Sequence, residues 1–493
     1  MAKRTISLSL IGLLAACSQA PEYVRPALPV PIAWPGLSVG AGDTLSSKNS
    51  LVAAHENWRH VFLDTHLQST IAAALEHNRD LAIAVFRVEE ARAQAGISRA
   101  TRWPELDLNA QHQSSGTSSS VARNGFATTG QRYDVGIGVA AFELDFWDRL
   151  KNLDDAAKAN FLATEYARSA FRLSLIRDVA QTWFSVRELS QRKALAEQTL
   201  LGREASLNLI AHRRDVGLAS DIDFQTATGA LANARVERAN LARQLAAAEN
   251  GLRLLVGADI QAINGGGAGV SQSTALRLQS GSAVQSRHST PAPTGETLIL
   301  VRDIAVGLPA EVLLARPDIL AAEQKLIAAN ANVGAARAAF FPKILLTASA
   351  GSASSALSNL FAAGSGTWSF VPALTVPLFD GGRNQDNLDI AEARKNIAVA
   401  EYEKSIQSAF RDVANLLAAR SHYLAQIAAL QVGAQAQIER LRLVNARYVG
   451  GVANHLELID AQRDSFAAQQ NLLIAKQQAL STSASMFAAL GGY

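Results

Sequence analysis

Apolar residues recur at three-to-four spacing over long stretches of this chain, and in two places the period drops to two. Leu67, Ile71, Ala74 and Leu75 fall on one helical face, which predicts a helix over about 64–101; similar spacing predicts another over about 312–340. Trp103-Pro104 and Phe341-Pro342 stop these helices, because the residue before a proline is pushed out of the α region. Alternation follows. Glu105 to Gln111 and Tyr133 to Val139 each alternate polar with apolar and flank a Ser/Gly/Thr-rich loop, which predicts a β-hairpin over about 104–146. A second hairpin is predicted over about 342–380, with strands near 342–352 and 367–379.

Proline-free helical stretches come next, about 148–214 and 385–448. At roughly 1.5 Å per residue, each would be on the order of 100 Å long. Short turns containing Gly217, and Gly450 with Gly451, lead into return helices over about 222–256 and 455–488. Each return helix, like each helix before a hairpin, is about half the long one. Two short helices laid end to end would match it, so the expected shape is a two-layer rod.

The two halves are copies with a period of roughly 235 residues. Arg79-Asp80-Leu81 through Trp103-Pro104 matches Arg316-Pro317-Asp318 through Phe341-Pro342. Phe146-Trp147-Asp148 matches Leu378-Phe379-Asp380, and Val216 to Ala219 matches Gly450 to Ala453. The predicted organisation is a first repeat at 64–257, a Gly/Ser-rich connector at 258–311 and a second repeat at 312–490.

Strands of about ten residues suit a tilted outer-membrane strand. Yet two hairpins supply only four strands, and transmembrane barrels begin at about eight. An open sheet edge in lipid strands its backbone groups, so other chains would have to complete the sheet. Three chains would give twelve strands. No run of about eighteen apolar residues follows the N-terminal region, so a helical span is not expected.

Composition narrows the partners. Lys and Arg number 46 against 43 Asp and Glu, which gives no reason to expect nucleic acid. The N-terminus reads as a targeting segment over residues 1–16. Lys3 and Arg4 precede a short apolar core, and Leu14-Ala15-Ala16-Cys17 resembles a bacterial lipoprotein cleavage site. Cys17 is the single cysteine and the expected lipidation site; Ser18 is compatible with outer-membrane delivery. Pro21, Pro26, Pro29, Pro31 and Pro35 then predict an extended tether within an anchor region at 17–63.

Several segments together resemble one family. They are Trp58-Arg59 with Phe62-Leu63-Asp64, Asn78 to Leu81, Ala91-Arg92-Ala93, Gly307 to Ala310, Ala315 to Ile319, and Ala329 through Phe341-Pro342. The chain is similar over about 17–490 to the TolC-like outer-membrane factors of RND-type tripartite efflux systems, in their OprM-like lipoprotein branch. That resemblance implies a mainly α fold with a transmembrane β-barrel. A homotrimer would form a 12-stranded β-barrel on a long 12-helix α-barrel. It also implies a periplasmic adaptor, an inner-membrane pump and outer-membrane lipid as partners. The expected function is passive exit of drugs or other small solutes, with no cofactor beyond the lipid on Cys17. The connector near 260–300 looks longer and richer in Gly and Ser than the family's usual one.

An open duct would leak, so a constriction is expected at the helix-turn-helix tips, where Gly217 and Gly450-Gly451 make the turns. The family places acidic rings there. Its Tyr-x-x-Gly turn falls on Tyr448 to Gly451, beside Arg447, which puts the acidic positions on Glu457 and Asp460, with Asp223 as the first-copy equivalent. Acids beside a helix N-terminus also suit the helix dipole with no gating role. Enzyme signals are weak: Gly265 to Gly269 lacks a following Lys-Ser/Thr, and His55, Glu56 and His60 are wrongly spaced for a helical zinc site. A duct for secreted polypeptide (type I secretion) and a periplasmic coiled-coil adaptor remain as alternatives.

Overall fold

The computed structural model describes residues 19–31, 34, 58–121, 126–258 and 310–492. The predicted leader, Cys17 and nearly all of the predicted connector lie outside them. The described part of the tether, 19–31, holds no helix or strand.

The first half contains α1 (Trp58–Val61), α2 (Thr65–His77), α3 (Arg79–Ala100), β1 (Asp107–Thr117), β2 (Thr128–Leu144), α4 (Arg149–Asp215) and α5 (Asp221–Val256). The second contains a 3-10 turn (Ala310–Ala315), α6 (Pro317–Ala338), β3 (Lys343–Ser354), β4 (Gly366–Thr375), α7 (Arg383–Val449) and α8 (His455–Ala489). The long helices α4 and α7 are each 67 residues, and the return helices are 36 and 35.

Where one helix was expected over 64–101 there are two. Asp64 caps α2 through the amides of His66 and Leu67. At its end Asn78 turns extended, with ψ 126°, and is buried. Its side-chain oxygen accepts from Leu81 N–H at 2.8 Å, starting α3, while its amide donates to the Leu255 carbonyl at 2.8 Å. One asparagine thus ends one helix, caps the next and ties both to α5. Gly257 closes α5 at φ +73°, and a Cβ there would overlap the His77 carbonyl. In the second half, Pro317 occupies the first turn of α6, where its missing N–H costs nothing.

The chain divides into two compact units, and each draws on both halves of the sequence. One comprises residues 1–28, 86–167 and 318–405. Within it lies a single antiparallel sheet in the order β1-β2-β3-β4. The two hairpins meet at β2 and β3, and β1 and β4 are left as edges. At the junction Gly136 faces Gly351, and a Cβ on Gly136 would sit 2.7 Å from the Ala350 carbonyl. Directly paired residues share a face. One face therefore carries Leu108 with Ile137, Ala350 with Trp368, Ala348 with Phe370, and Ile344 with Leu374. The other carries Asn109 with Gly136, Gln111 with Asp134, and Ser349 with Ser369, whose hydroxyls are 2.8 Å apart. The apolar face is exposed, Trp368 at 81%.

In the same unit Trp147 donates to the Pro342 carbonyl at 2.9 Å and stacks on Phe341. The segment predicted as a tether contacts α6 through Pro21, Tyr23 and Arg25. Arg25 binds the buried Glu323 through two hydrogen bonds of 2.6 and 2.7 Å, and Tyr23 donates to it at 3.0 Å. Asn330 donates to the Pro21 carbonyl. Desolvation, then the Glu323 charge, pushes the Tyr23 phenol well above its ordinary value.

The other unit comprises residues 29–85, 168–317 and 406–493. Its core joins Phe62, Leu67 and Ile71 to Ile176, Val179 and Phe184 of α4, Val256 of α5 and Phe487 of α8. Phe62 meets Phe487 edge to face at 5.7 Å.

Candidate functional site at the two helical turns

Both long helices end in the same backbone motif. Leu218 N–H donates to the Arg213 carbonyl and Gly217 N–H to that of Arg214. In the second copy Val452 donates to Arg447 and Gly451 to Tyr448. Gly217 and Gly451 hold φ of +76° and +74°. These are Schellman closures, in which a left-handed glycine lets the chain satisfy the last helical carbonyls. Gly450 is not left-handed, so of the three expected turn glycines only Gly217 and Gly451 are needed for their φ.

Each return helix starts from a polar cap. Ser220 accepts from Asp223 N–H at 3.1 Å, and the Asp223 carboxylate takes the Ser220 N–H at 3.3 Å and hydroxyl at 2.7 Å. That is a capping box. Asn454 accepts from Glu457 N–H at 2.8 Å, but the Glu457 carboxylate binds Arg447 across the turn at 2.8 Å. Asp223 and Glu457 therefore occupy the same third position of their helices, where the positive helix end also favours an acid.

Between the two turns Tyr448, Leu458 and Ala461 pack with Ile210, Ala227 and Val444. Arg213 donates to the Tyr448 hydroxyl at 3.3 Å, and Arg214 lies 4.1 Å from the centre of the Phe224 ring. Asp460 pairs with Arg463 at 3.1 Å, and Arg463 also holds Asp464. The predicted residues Arg447, Tyr448 and Glu457 thus meet at one turn, while Asp223 and Asp460 are each engaged by another neighbour. His455 opens α8. It is buried against the Tyr448 ring, and neither ring nitrogen has a hydrogen-bond partner among the described residues. Desolvation lowers its pKa below the ordinary imidazole value, with Asp223 opposing and Arg203 reinforcing. Among the described residues no cluster of three His, Cys, Asp or Glu could hold a metal, and no helix is long and apolar enough to cross a membrane.

Residues 70–258 and 308–492 match the family described as outer membrane efflux protein. The chain is 40% identical to outer membrane protein OprJ of Pseudomonas aeruginosa, over 99% of this chain and 95% of that one. It is 38% identical to the cation efflux system protein CusC of Escherichia coli K12, over 97% of each. Among solved structures, the open state of the Neisseria gonorrhoeae MtrE outer membrane channel aligns with a TM-score of 0.79 at 34% identity. That alignment covers 96% of this chain and 98% of that one.

Proposed function

The chain belongs to the outer membrane efflux protein family, and from that premise we propose that it is the passive outer-membrane exit channel of a tripartite efflux system. It is a conduit and not an enzyme. The observation that carries this reading is the sheet. Its register sorts one face apolar and the other polar, which suits lipid on one side and an aqueous lumen on the other. Strands of 10 to 17 residues are long enough to cross the hydrocarbon core.

The edges β1 and β4 call for further copies of the chain to complete the sheet, and the number three comes from the family. Four strands cannot close, whereas three copies give twelve and join each β4 to the β1 of a neighbour. The working form is then a homotrimer, with a periplasmic adaptor and an inner-membrane pump as partners and a lipid on Cys17 as anchor. Chemical selection belongs to the pump. OprJ and CusC are about equally similar to this chain, yet only CusC carries a cation in its name. The repeats at 64–257 and 312–490 bring the two turns around one axis, where Glu457, Asp460 and Asp223 narrow the closed pore and favour cations.

Deletion of the gene is expected to sensitise the host to exported solutes, and purified protein to run as a heat-modifiable trimer. A monomer that forms no pore in planar bilayers would overturn the channel reading. For the gate, Glu457→Ala and Asp460→Ala should each change single-channel conductance and weaken cation preference. Unchanged values in both remove the acidic ring while leaving the channel intact.

A further inference from the structure

Arg203, on α4, is a charged side chain with no counter-ion among the described residues. It is only 7% exposed, and its Nη1 has no hydrogen-bond partner among the described residues. Its Nη2 makes one long contact, 3.4 Å, to the Ile459 carbonyl. No carboxylate of the described residues forms an ion pair with it. The charge that bears on it is that of Arg463, of the same sign. Burial and that repulsion both lower its pKa, but a guanidinium stays protonated at neutral pH. An isolated buried cation costs several kcal/mol unless an opposite charge reaches it.

The side chain lines a cleft of about 280 Å³ between α4, α5 and α8. Thr199, Asn233, Glu237, Arg463 and Phe466 share its wall. This is several times the roughly 30 Å³ that a water occupies, so the cleft has room for a small polyatomic ion. Glu237 is the one acid in the wall. It accepts from Gln470 at 3.2 Å and lies 3.8 Å from Arg192, which it shares with Glu188, and no ion pair joins it to Arg203 among the described residues. Arg463 is bound by Asp460 and Asp464. That leaves Arg203 as an unanswered charge among the described residues, with Asn233 as a neutral hydrogen-bonding neighbour; the Thr199 hydroxyl already donates to the Leu195 carbonyl at 2.9 Å.

We propose that the cleft around Arg203 binds a small inorganic oxyanion, phosphate or sulfate, which neutralises the guanidinium and braces α4 against α5 and α8. A planar fork of N–H groups suits two oxygens of one such ion. The inference stands apart from the channel reading, since it concerns helices that would pack this way in either case.

The test is calorimetric titration of the full-length, detergent-purified protein with inorganic phosphate, at constant ionic strength, from ~0.1 to ~10 mM. Saturable binding of one phosphate per chain, competed by sulfate, is expected. Arg203→Gln should weaken it at least about tenfold. In phosphate-free buffer, Arg203→Gln should unfold at the same temperature as the parent or higher, because it removes an unpaired buried charge. A purely structural arginine predicts the opposite shift. Should Arg203→Gln not fold, Arg203→Lys keeps the charge, loses the fork and should bind several-fold more weakly. Equal binding by parent and variants overturns the proposal. So does an experimental structure of the oligomer with a carboxylate of a second copy on Arg203.

Discussion

The two helical turns are built from the same backbone and finished differently. Gly217 and Gly451 close α4 and α7 with matching hydrogen bonds, and an acid stands third in each return helix. In the first copy that acid folds back on its own cap, Ser220. In the second, Asn454 caps without help, and Glu457 is free to bind Arg447 of the preceding helix. The position preceding each glycine by three differs too: Arg214 covers Phe224, whereas Tyr448 is buried between the turns. In the first turn the acid stays on its own cap and Arg214 over Phe224 bridges the helices, whereas in the second the acid itself bridges them and Tyr448 reaches across to Arg213. Duplication preserved the fold of the turn and let its side chains diverge towards separate tasks.

The largest expected asymmetry lies at Tyr448. Tyr448→Ala should destabilise the packing of both turns by about 3 kcal/mol, read as faster amide exchange in the ends of α4, α5, α7 and α8. Tyr448→Phe should cost only about 1 kcal/mol, the contribution of the Arg213 hydrogen bond. Equal effects of the two would mean the hydroxyl, not the ring, joins the turns.

Next come the glycines. A Cβ on Gly217 or Gly451 meets nothing within 4 Å, so alanine there costs only the left-handed conformation, about 1 kcal/mol. Gly450→Ala should be neutral or stabilising by up to about 1 kcal/mol, since its φ is ordinary. Thermal midpoints of the three variants check this ranking.

Smaller effects separate the acids. Asp223→Ala should fray the start of α5 by about 0.5 kcal/mol and leave the end of α7 unchanged. Glu457→Gln should cost a similar ~0.5 kcal/mol, yet its effect should fade at high salt and shrink to the helix-end contribution in an Arg447→Ala background. Additivity of the latter pair would remove the cross-turn link.

The smallest effect is a pH dependence at His455. Its folded pKa is lowered, so the opened state takes up a proton more readily than the packed one. Stability of the second turn should be level above neutral pH and fall as pH drops below about 6.5. Amide exchange at about pH 5.5 and 7.5, corrected for its intrinsic rate, should show the drop. His455→Gln should abolish it.

Much of this was legible along the chain. Proline-free stretches and glycine punctuation place α4, α5, α7 and α8 within a residue or two, because local propensity and capping decide such boundaries. Asn78 was not legible as a break. An asparagine in a helical run is ordinary, and only its contact with Leu255, far along the chain, makes the kink worthwhile. Arg203 was equally hidden, since its isolation depends on which side chains fail to reach it.

The repeat, the alternation of long and short helices, the hairpins and the positions of the turns are all written along the chain. Each follows from periodicity, from proline and glycine stereochemistry, or from spacing within a few residues. That the hairpins join as one sheet through Gly136 and Gly351, and that its pairs sort into an apolar and a polar face, emerges only from the folded chain. So does the different bonding of two acids at one helical position. Such choices rest on contacts between segments more than two hundred residues apart, or on which of several nearby cations a carboxylate can reach. Neither has a local signature for the sequence to carry.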